Sequence, residues 1–351
     1  MSIPITYFRS SSYSCHDQCP QKFFGEYILG WSGLSNKKAD QGTIVHKVME
    51  ILAAAKLAKQ QNKRIIHDEI AGRVTTNFNK LEIDPLTEQV YDYYAAAFDH
   101  HEWEDADLRR CKRLVHKALD FNNGAFDPRM RTIVDVEQQF DIEINEPWAA
   151  YDYNWHGEKL TGNLSIKGTV DLITEIDTGI YEIVDWKTGK AINWTTGEDI
   201  TYESCRKNPQ LRIYHFACCQ LYPEAEHIIL TVYYIDHNKP FTVQFGREDI
   251  PDTLEIIRTK FEDIKSTSQP KLNKSWKCNR LCSLGKTTFE DTHVLPILEK
   301  RRGQVTPCGE WMTKCEQIKY CLEHRTVEEV TENMSEQGYN PTKYKSPGST
   351  E

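Results

Sequence analysis

Two acidic residues and a lysine lie within an otherwise apolar, β-branched stretch at residues 166–190. Asp171 follows Gly168-Thr169-Val170, and Asp185 is followed two positions later by Lys187. A carboxylate inside an apolar strand is costly to bury unless it is paired or binds a metal. Residues two apart leave the same face of a strand, so Asp185 and Lys187 should lie side by side. These residue types at this spacing predict a site for a divalent cation and a positioned water.

A β-hairpin is the element that would bring these groups together. The tripeptide Asp177-Thr178-Gly179 predicts a tight turn in which the glycine supplies a positive φ. The flanking residues are rich in β-branched side chains, which favour strands. The apolar positions of the two predicted strands are Val170, Leu172, Ile173 and Ile176, then Ile180, Ile183 and Val184.

Two predicted helices carry further polar pairs. Apolar periodicity predicts a helix over 42–60, in which His46 and Glu50 are four apart and share a face. A second helix is predicted over 209–221, where Gln210 and Tyr214 have the same spacing.

The remaining pattern predicts an α/β fold, with a sheet flanked by helices. Predicted strands cover 132–145, 227–235 and 240–246, and a helix covers 250–266. Glu137, in the first of these strands, is an additional candidate for facing the site. The predicted organisation is an N-terminal helical region (1–130), a catalytic core (131–266), a cysteine-rich segment (267–334) and a flexible tail (335–351).

Composition limits the class of protein. The 351 residues carry 43 basic and 52 acidic side chains, for a formal net charge of −9. This charge argues against non-specific coating of nucleic acid, although phosphate contacts can be local. No apolar run reaches the roughly 20 residues of a membrane helix. The N-terminal residues lack a basic region followed by an apolar stretch, so we expect a cytoplasmic protein without membrane association.

Eleven cysteines are present, and in a reducing compartment some are expected to bind metal. Cys278 and Cys282 form a Cys-x-x-x-Cys pair of the kind that suits a thiolate metal site. Cys308, Cys315 and Cys321 follow, and Cys19 precedes a proline near the other end. The buried-thiol interpretation is favoured for four others in helical, apolar contexts: Cys111, Cys205, Cys218 and Cys219.

Together these motifs resemble the PD-(D/E)XK nucleases. The resemblance comprises Gly-x-x-Asp at 168–171, Asp-x-Lys at 185–187, Cys19-Pro20, Gly42-Thr43-Ile44-Val45-His46 and Gln210-x-x-x-Tyr214. Taken in their order along the chain, over roughly residues 10–285, they are most similar to the RecB-type exonuclease branch, which includes AddB-like and CRISPR-associated iron–sulfur nucleases. The resemblance implies a restriction-endonuclease-like mixed sheet.

The resemblance also implies roles for the candidate residues. Asp171, Asp185, His46 and the carbonyl of Trp186 would bind Mg²⁺ or Mn²⁺, a choice that carboxylate ligands favour. Lys187 would orient the water or stabilise developing negative charge. Two residues, Gln210 and Tyr214, would hold the lysine and the substrate in place.

A 4Fe–4S cluster is a second implication of the resemblance. Cys19, Cys278, Cys282 and Cys308 are the expected ligands, with Cys315 or Cys321 as replacements for Cys308. The spacing departs from the closely spaced C-terminal cysteines of that branch. A Zn²⁺ site built largely from the C-terminal cysteines therefore remains an alternative.

The expected activity is metal-dependent hydrolysis of DNA by an exonuclease acting on single-stranded ends. Recombination, repair or phage replication would be the setting, and a helicase or recombination protein would be the partner. If the protein is phage-encoded, its location would be the host cytoplasm. Three alternatives stay open: a structure-specific DNA endonuclease, a non-catalytic nucleic-acid-binding module, and a zinc-bound subunit of a recombination complex.

Overall fold

The computed structural model describes residues 3–31, 35–63, 66–67, 74–75, 78, 81–193, 196–275, 277–280, 282–286 and 313–335. The chain divides into two compact units. The first unit comprises Met1–Leu34, Asp141–Lys167 and Leu254–Glu351, and the second comprises Ser35–Phe140 and Gly168–Thr253. The first unit is therefore assembled from three separate segments of the chain.

The second unit is organised by a mixed sheet. Its strands are β4 (Thr132–Glu143), β7 (Ser165–Asp177), β8 (Ile180–Lys187), β9 (His227–Tyr234) and β10 (Lys239–Phe245). β7 lies between β4 and β8, and the order continues through β9 to β10. β8 runs antiparallel to β7 and parallel to β9, while β9 and β10 are antiparallel. Gly179, with φ +74°, lies in the predicted turn between β7 and β8.

Among its described residues, the second unit has five α-helices: α3 (Lys37–Gln60), α4 (Ile83–Ala97), α5 (Asp105–Asp120), α6 (Tyr202–Arg206) and α7 (Pro209–Leu221). Two-residue strands β2 (Ile66–His67) and β3 (Val74–Thr75) pair with each other. One core cluster joins α3, α4 and α5 to the sheet, and the fully buried Trp186 and Tyr233 are its largest side chains.

Local sequence explains the two elements that matter most for the site. Residues 181–186 of β8 are all buried, as expected for a strand rich in β-branched residues inside a sheet. α3 begins because the Asn36 side chain accepts a hydrogen bond from the Ala39 N–H at 3.0 Å, which caps the helix. Its apolar residues then recur at helical spacing, so the helix packs against the core over its whole length.

The first unit contains a parallel strand pair, a hairpin and seven helices among its described residues. The strands are β1 (Tyr7–Phe8), β5 (Ala150–Trp155) and β6 (Glu158–Asn163). The helices are α1 (Ser10–Gln18), α2 (Pro20–Phe23), α8 (Ile250–Ser266), α9 (Lys277–Arg280), α10 (Ser283–Lys286), α11 (Lys314–His324) and α12 (Val327–Ser335), and a π-helix (Phe24–Ile28) continues α2. β1 pairs in parallel with Ser165 and Ile166, the first residues of β7.

The predicted fold class, an α/β fold with a mixed sheet flanked by helices, is confirmed. The helix predicted over 42–60 begins five residues earlier, at the Asn36 cap. The predicted tail is described only at residue 335, and the three boundaries between the four predicted regions stay predictions. Across the described ranges, no helix is both long and apolar enough to cross a bilayer.

Candidate active site

Adjacent strands deliver the two acidic residues. The antiparallel register pairs Leu172 of β7 with Val184 of β8. Asp171 comes one residue before Leu172 and Asp185 one residue after Val184, so the same register brings the two acids to neighbouring positions. Their meeting is therefore a consequence of the hairpin that the sequence predicts.

Asp185 lies at the centre of a polar network and is only 1% exposed. The Lys187 ammonium lies 2.7 Å from Asp185 Oδ2 and donates to Oδ1 at 2.9 Å. Gln210 Nε2 donates to the same Oδ1 at 3.2 Å and lies 2.9 Å from the Tyr214 hydroxyl. The structure thus joins four of the predicted residues, because Lys187 and Gln210 contact the Asp185 carboxylate and Tyr214 contacts Gln210.

Asp171 connects β7 to α3 and β8. Its Oδ2 accepts a hydrogen bond from the Trp186 backbone N–H at 3.1 Å. His46 Nδ1 lies 3.4 Å from the same oxygen. The imidazole ring also stands edge-on to the Trp186 ring, with centroids 6.4 Å apart. His46 therefore lies beside Asp171.

The charges of the network influence one another. Burial raises the pKa of Asp171, and the nearby Asp185 carboxylate raises it further, while His46 and Lys187 act in the opposite direction. Burial alone would lower the pKa of Lys187, but Asp185 and Asp171 together raise it above the ordinary value. Lys187 consequently remains an ammonium, and it partly neutralises the two carboxylates.

A cavity of about 440 Å³ opens beside this network. Its lining includes His46, Glu137, Asp171 and Lys187, whereas Asp185, Gln210 and Tyr214 are not among the lining residues. Lys47 and Glu50 also line it and form an ion pair at 2.7 Å. The cavity exposes one carboxylate of the acidic pair and the ammonium to a prospective substrate.

Glu137 was only an additional candidate from sequence, and the structure places it on the cavity wall. It lies within β4 but has φ +49°, a left-handed conformation that is unusual for a non-glycine residue. Burial, followed by the charges of Asp171 and Glu50, raises the pKa of Glu137 to about 8. Backbone strain and a perturbed carboxyl coincide here, a combination found at functional sites.

Gly168 of the Gly-x-x-Asp motif has a packing role. A Cβ at this position would lie 2.5 Å from Cζ of Phe140, so only glycine permits this close approach. The Phe140 ring in turn stands edge-on to Tyr214, with centroids 6.1 Å apart. The motif glycine therefore lets an aromatic ring support a residue of the polar network.

The donor set fits a hard divalent cation. Two carboxylates on neighbouring strands, one imidazole and a cavity that admits water are typical ligands and surroundings for Mg²⁺ or Mn²⁺. Burial is the main cause of the raised pKa of Asp171, and a bound cation would favour the charged form of this carboxyl group.

A second set of candidate ligands lies in the first unit. Burial raises the pKa of the Cys315 thiol to about 12, and the nearby thiols of Cys282, Cys19 and Cys278 each raise it further. The sulfurs of Cys282, Cys19 and Cys278 are therefore each close enough to the Cys315 sulfur to affect its charge. Gln21 Nε2 donates to Cys315 Sγ at 3.3 Å, and the Ser275 N–H donates to Cys278 Sγ at 3.4 Å. Cys308, the predicted fourth ligand, lies outside the described residues.

Comparison with known proteins establishes the family. A family model for the PD-(D/E)XK nuclease superfamily matches residues 10–286. The chain belongs to this superfamily, and it is accordingly a nuclease of a class that generally uses Mg²⁺ or Mn²⁺.

Two solved structures resemble this chain weakly. One, described as a “putative exonuclease” from Eubacterium rectale, is 10% identical, covers 78% of this chain and 87% of its own, and gives a TM-score of 0.46. The other, SSO0001, is 13% identical, covers 80% of this chain and 84% of its own, and gives a TM-score of 0.29. At these values neither structure bears on function. A comparison with curated proteins gave no match.

Proposed function

We propose that the protein is a metal-dependent DNA exonuclease of the RecB-type branch, which hydrolyses phosphodiester bonds at single-stranded ends. One observation carries this proposal: Asp171, Asp185, Lys187 and His46 converge from two strands and a helix beside a cavity. The order of the motifs along the chain, from Cys19-Pro20 to Gln210 and Tyr214, supports the branch. Recombination, repair or phage replication is the expected setting.

The proposed cation ligands are Asp171, Asp185, His46 and the Trp186 carbonyl. A bound Mg²⁺ or Mn²⁺ would supply a Lewis acid that polarises the scissile phosphate. Lys187 is close enough to the carboxylates to be held in one orientation, so its ammonium can stabilise charge that develops on phosphate oxygens. Gln210 bridges Asp185 and Tyr214 and thereby fixes the carboxylate that holds the lysine.

One gel assay tests the proposal. End-labelled linear and circular single-stranded DNA are incubated with the purified full chain, with and without Mg²⁺ or Mn²⁺, and with Asp185→Asn as the inactive comparison. We expect metal-dependent loss of the linear substrate alone. Cleavage of both substrates would identify an endonuclease, and cleavage of neither would overturn the nuclease mechanism proposed for these residues.

We further propose that Cys19, Cys278, Cys282 and Cys315 hold a 4Fe–4S cluster, with Zn²⁺ as the alternative occupant. This set uses Cys315, one of the two replacements, in place of Cys308. The effect of the Cys282, Cys19 and Cys278 thiols on the Cys315 pKa supports it, because sulfurs this close together can bind one metal centre as thiolates. Four cysteine sulfurs suit either occupant.

Metal and acid-labile sulfide are measured in anaerobically purified protein for the wild type, Cys315→Ser and Cys321→Ser. Cys321 lies on the same helix α11 and is buried, which makes it a matched control. We expect iron, sulfide and visible absorption to be lost with Cys315→Ser and kept with Cys321→Ser. Zinc without sulfide would replace the cluster assignment, and retention of full metal by Cys315→Ser would refute the ligand set.

A further inference from the structure

A second group of potential metal ligands lies at the start of α3, apart from the acidic pair. Asp40 belongs to the first turn of α3 and is 3% exposed. His100 and His101 follow α4, in the connection that leads to α5. The three residues offer one carboxylate oxygen and two imidazole nitrogens that all lie within 4.8 Å of one another.

All close contacts of this cluster converge on one oxygen. His101 Nε2 lies 2.7 Å from Asp40 Oδ2, and His100 Nε2 lies 3.8 Å from it. The Ser35 hydroxyl donates to the same oxygen at 2.6 Å and lies 3.3 Å from His100 Nε2. A single carboxylate oxygen therefore faces two imidazole nitrogens and one hydroxyl.

The imidazole rings are oriented by neighbouring aromatic rings. His101 stands edge-on to Trp103 with centroids 5.6 Å apart, and His100 stands edge-on to Phe98 at 6.3 Å. The two imidazoles lie only 4.0 Å apart. Two protonated imidazoles at this separation would repel each other, whereas two neutral ones can direct their Nε2 lone pairs at a shared cation.

The spacing of these atoms is compatible with a transition-metal site. Bonds of about 2.0–2.1 Å in a tetrahedral arrangement place neighbouring ligand atoms about 3.3 Å apart. The distances from Asp40 Oδ2 to the two imidazole nitrogens, 2.7 and 3.8 Å, fall on either side of this value. His101 Nε2 is hydrogen-bonded to Asp40, and His100 Nε2 lies within hydrogen-bond distance of the Ser35 hydroxyl, so both nitrogens already point at the space that a cation would occupy.

We propose that Asp40, His100 and His101 bind a divalent transition-metal ion of the Zn²⁺ type, with the Ser35 hydroxyl or water as fourth ligand. Two nitrogens and one oxygen favour Zn²⁺ over Mg²⁺, which prefers oxygen ligands. The ion would fasten the connection between α4 and α5 to the first turn of α3. Ala39, the residue before Asp40, lines the cavity that also contains His46.

The proposed role is structural and does not rest on the nuclease mechanism. The cationic Lys37 does not compete for Asp40, because its ammonium pairs with Asp107 at 2.6 Å. Gln41 donates to the other oxygen of Asp107 at 2.7 Å, so the first turn of α3 is already joined to α5. A metal at Asp40 would also attach the connection between α4 and α5 to the first turn of α3.

The test counts ions in the full chain. Wild-type protein, His100→Ala, Asp40→Asn and the control His116→Ala are stripped with chelator, reloaded with Zn²⁺ and analysed by mass spectrometry for metal per chain. His116 also pairs with a carboxylate, Asp84, but stands outside the cluster. Because the acidic pair and the cysteines are intact in all four proteins, any difference reports the Asp40 cluster.

We expect wild type and His116→Ala to hold one more Zn²⁺ per chain than His100→Ala and Asp40→Asn. Co²⁺ should reproduce the difference as weak visible bands without a thiolate charge-transfer band. Equal Zn²⁺ content in all four proteins would overturn the proposal. If Asp40→Asn loses its circular dichroism signal, the exposed His100→Ala variant decides the outcome alone, by its ion count and Co²⁺ spectrum.

Discussion

His46 Nδ1 and Asp171 Oδ2 are 3.4 Å apart, and the same oxygen accepts the Trp186 backbone N–H at 3.1 Å. Helix α3 and strand β8 therefore hold one carboxylate in common. Burial and Asp185 both raise the pKa of Asp171, so the charged form of this carboxyl group is disfavoured unless a cation binds it. The effect of a cation on the stability of the fold is measurable.

Mg²⁺ or Mn²⁺ is expected to raise the Tm of the wild-type protein, because a ligand that binds only the folded state stabilises it. Asp171→Asn should lose the metal-dependent increase, since the amide carries no charge. Differential scanning calorimetry with and without the ion measures this. Asp177→Asn, a substitution of an exposed acid in the hairpin turn of the same strand, is the control and should keep the increase.

Lys187→Ala should lower the rate of phosphodiester cleavage by roughly 10²–10³-fold, the usual effect of removing one group that stabilises transition-state charge. The variant also leaves Asp185 without its ammonium partner, so some loss of stability is expected. Single-turnover cleavage of linear DNA measures the rate. Lys190→Ala removes an exposed lysine three residues away and should cleave at the wild-type rate; an equally active Lys187→Ala would contradict the assigned role.

Gly168→Ala should destabilise the second unit by about 1–3 kcal/mol, because the added methyl group displaces the Phe140 ring and the core cannot yield freely. The displaced ring contacts Tyr214, so activity should fall as well. Urea unfolding gives the stability change. Gly189→Ala is the matched control, since a Cβ at Gly189 meets nothing within 4 Å.

His215 gives the fold a specific sensitivity to acid. Burial lowers its pKa from 6.5 to about 4, and Asp249 opposes this shift. As pH falls from 6.5 toward 4, the unfolded chain binds the proton first, so this residue makes stability fall over that interval by about 3 kcal/mol. His215→Leu should lose less stability over the interval than wild type.

Unfolding free energies at a series of pH values between 7 and 4 measure this difference. His227→Gln is the comparison for His215→Leu, because His227 is an exposed histidine of strand β9. Parallel profiles for wild type and His215→Leu would mean that His215 is not the responsible group.

The sequence allowed prediction of groups that are close along the chain. Asp185 and Lys187 are two residues apart and share one face of a strand, while Gln210 and Tyr214 are four apart and share one face of a helix. Spacing alone therefore predicts their contacts. The fold class followed from the same periodicities. The start of α3 was missed because the apolar pattern is weak near Asn36, and the cap decides where the helix begins.

Contacts between distant segments could not be predicted in this way. Asp40 and His101 are about 60 residues apart, and their meeting depends on how α4 packs against α3. Glu137 reaches the cavity wall from a backbone with positive φ, which interrupts the alternation that strand patterns assume. Cys315 approaches Cys19 across most of the chain, which sequence spacing does not encode.

The three-segment construction of the first unit imposes an order on biosynthesis. Cys19 leaves the ribosome about 300 residues before Cys315, a delay on the order of 15–60 s at the usual translation rates. Every segment of the second unit is synthesised within that delay. The hairpin bearing Asp171 and Asp185 can thus fold on the nascent chain before Cys315 has been synthesised.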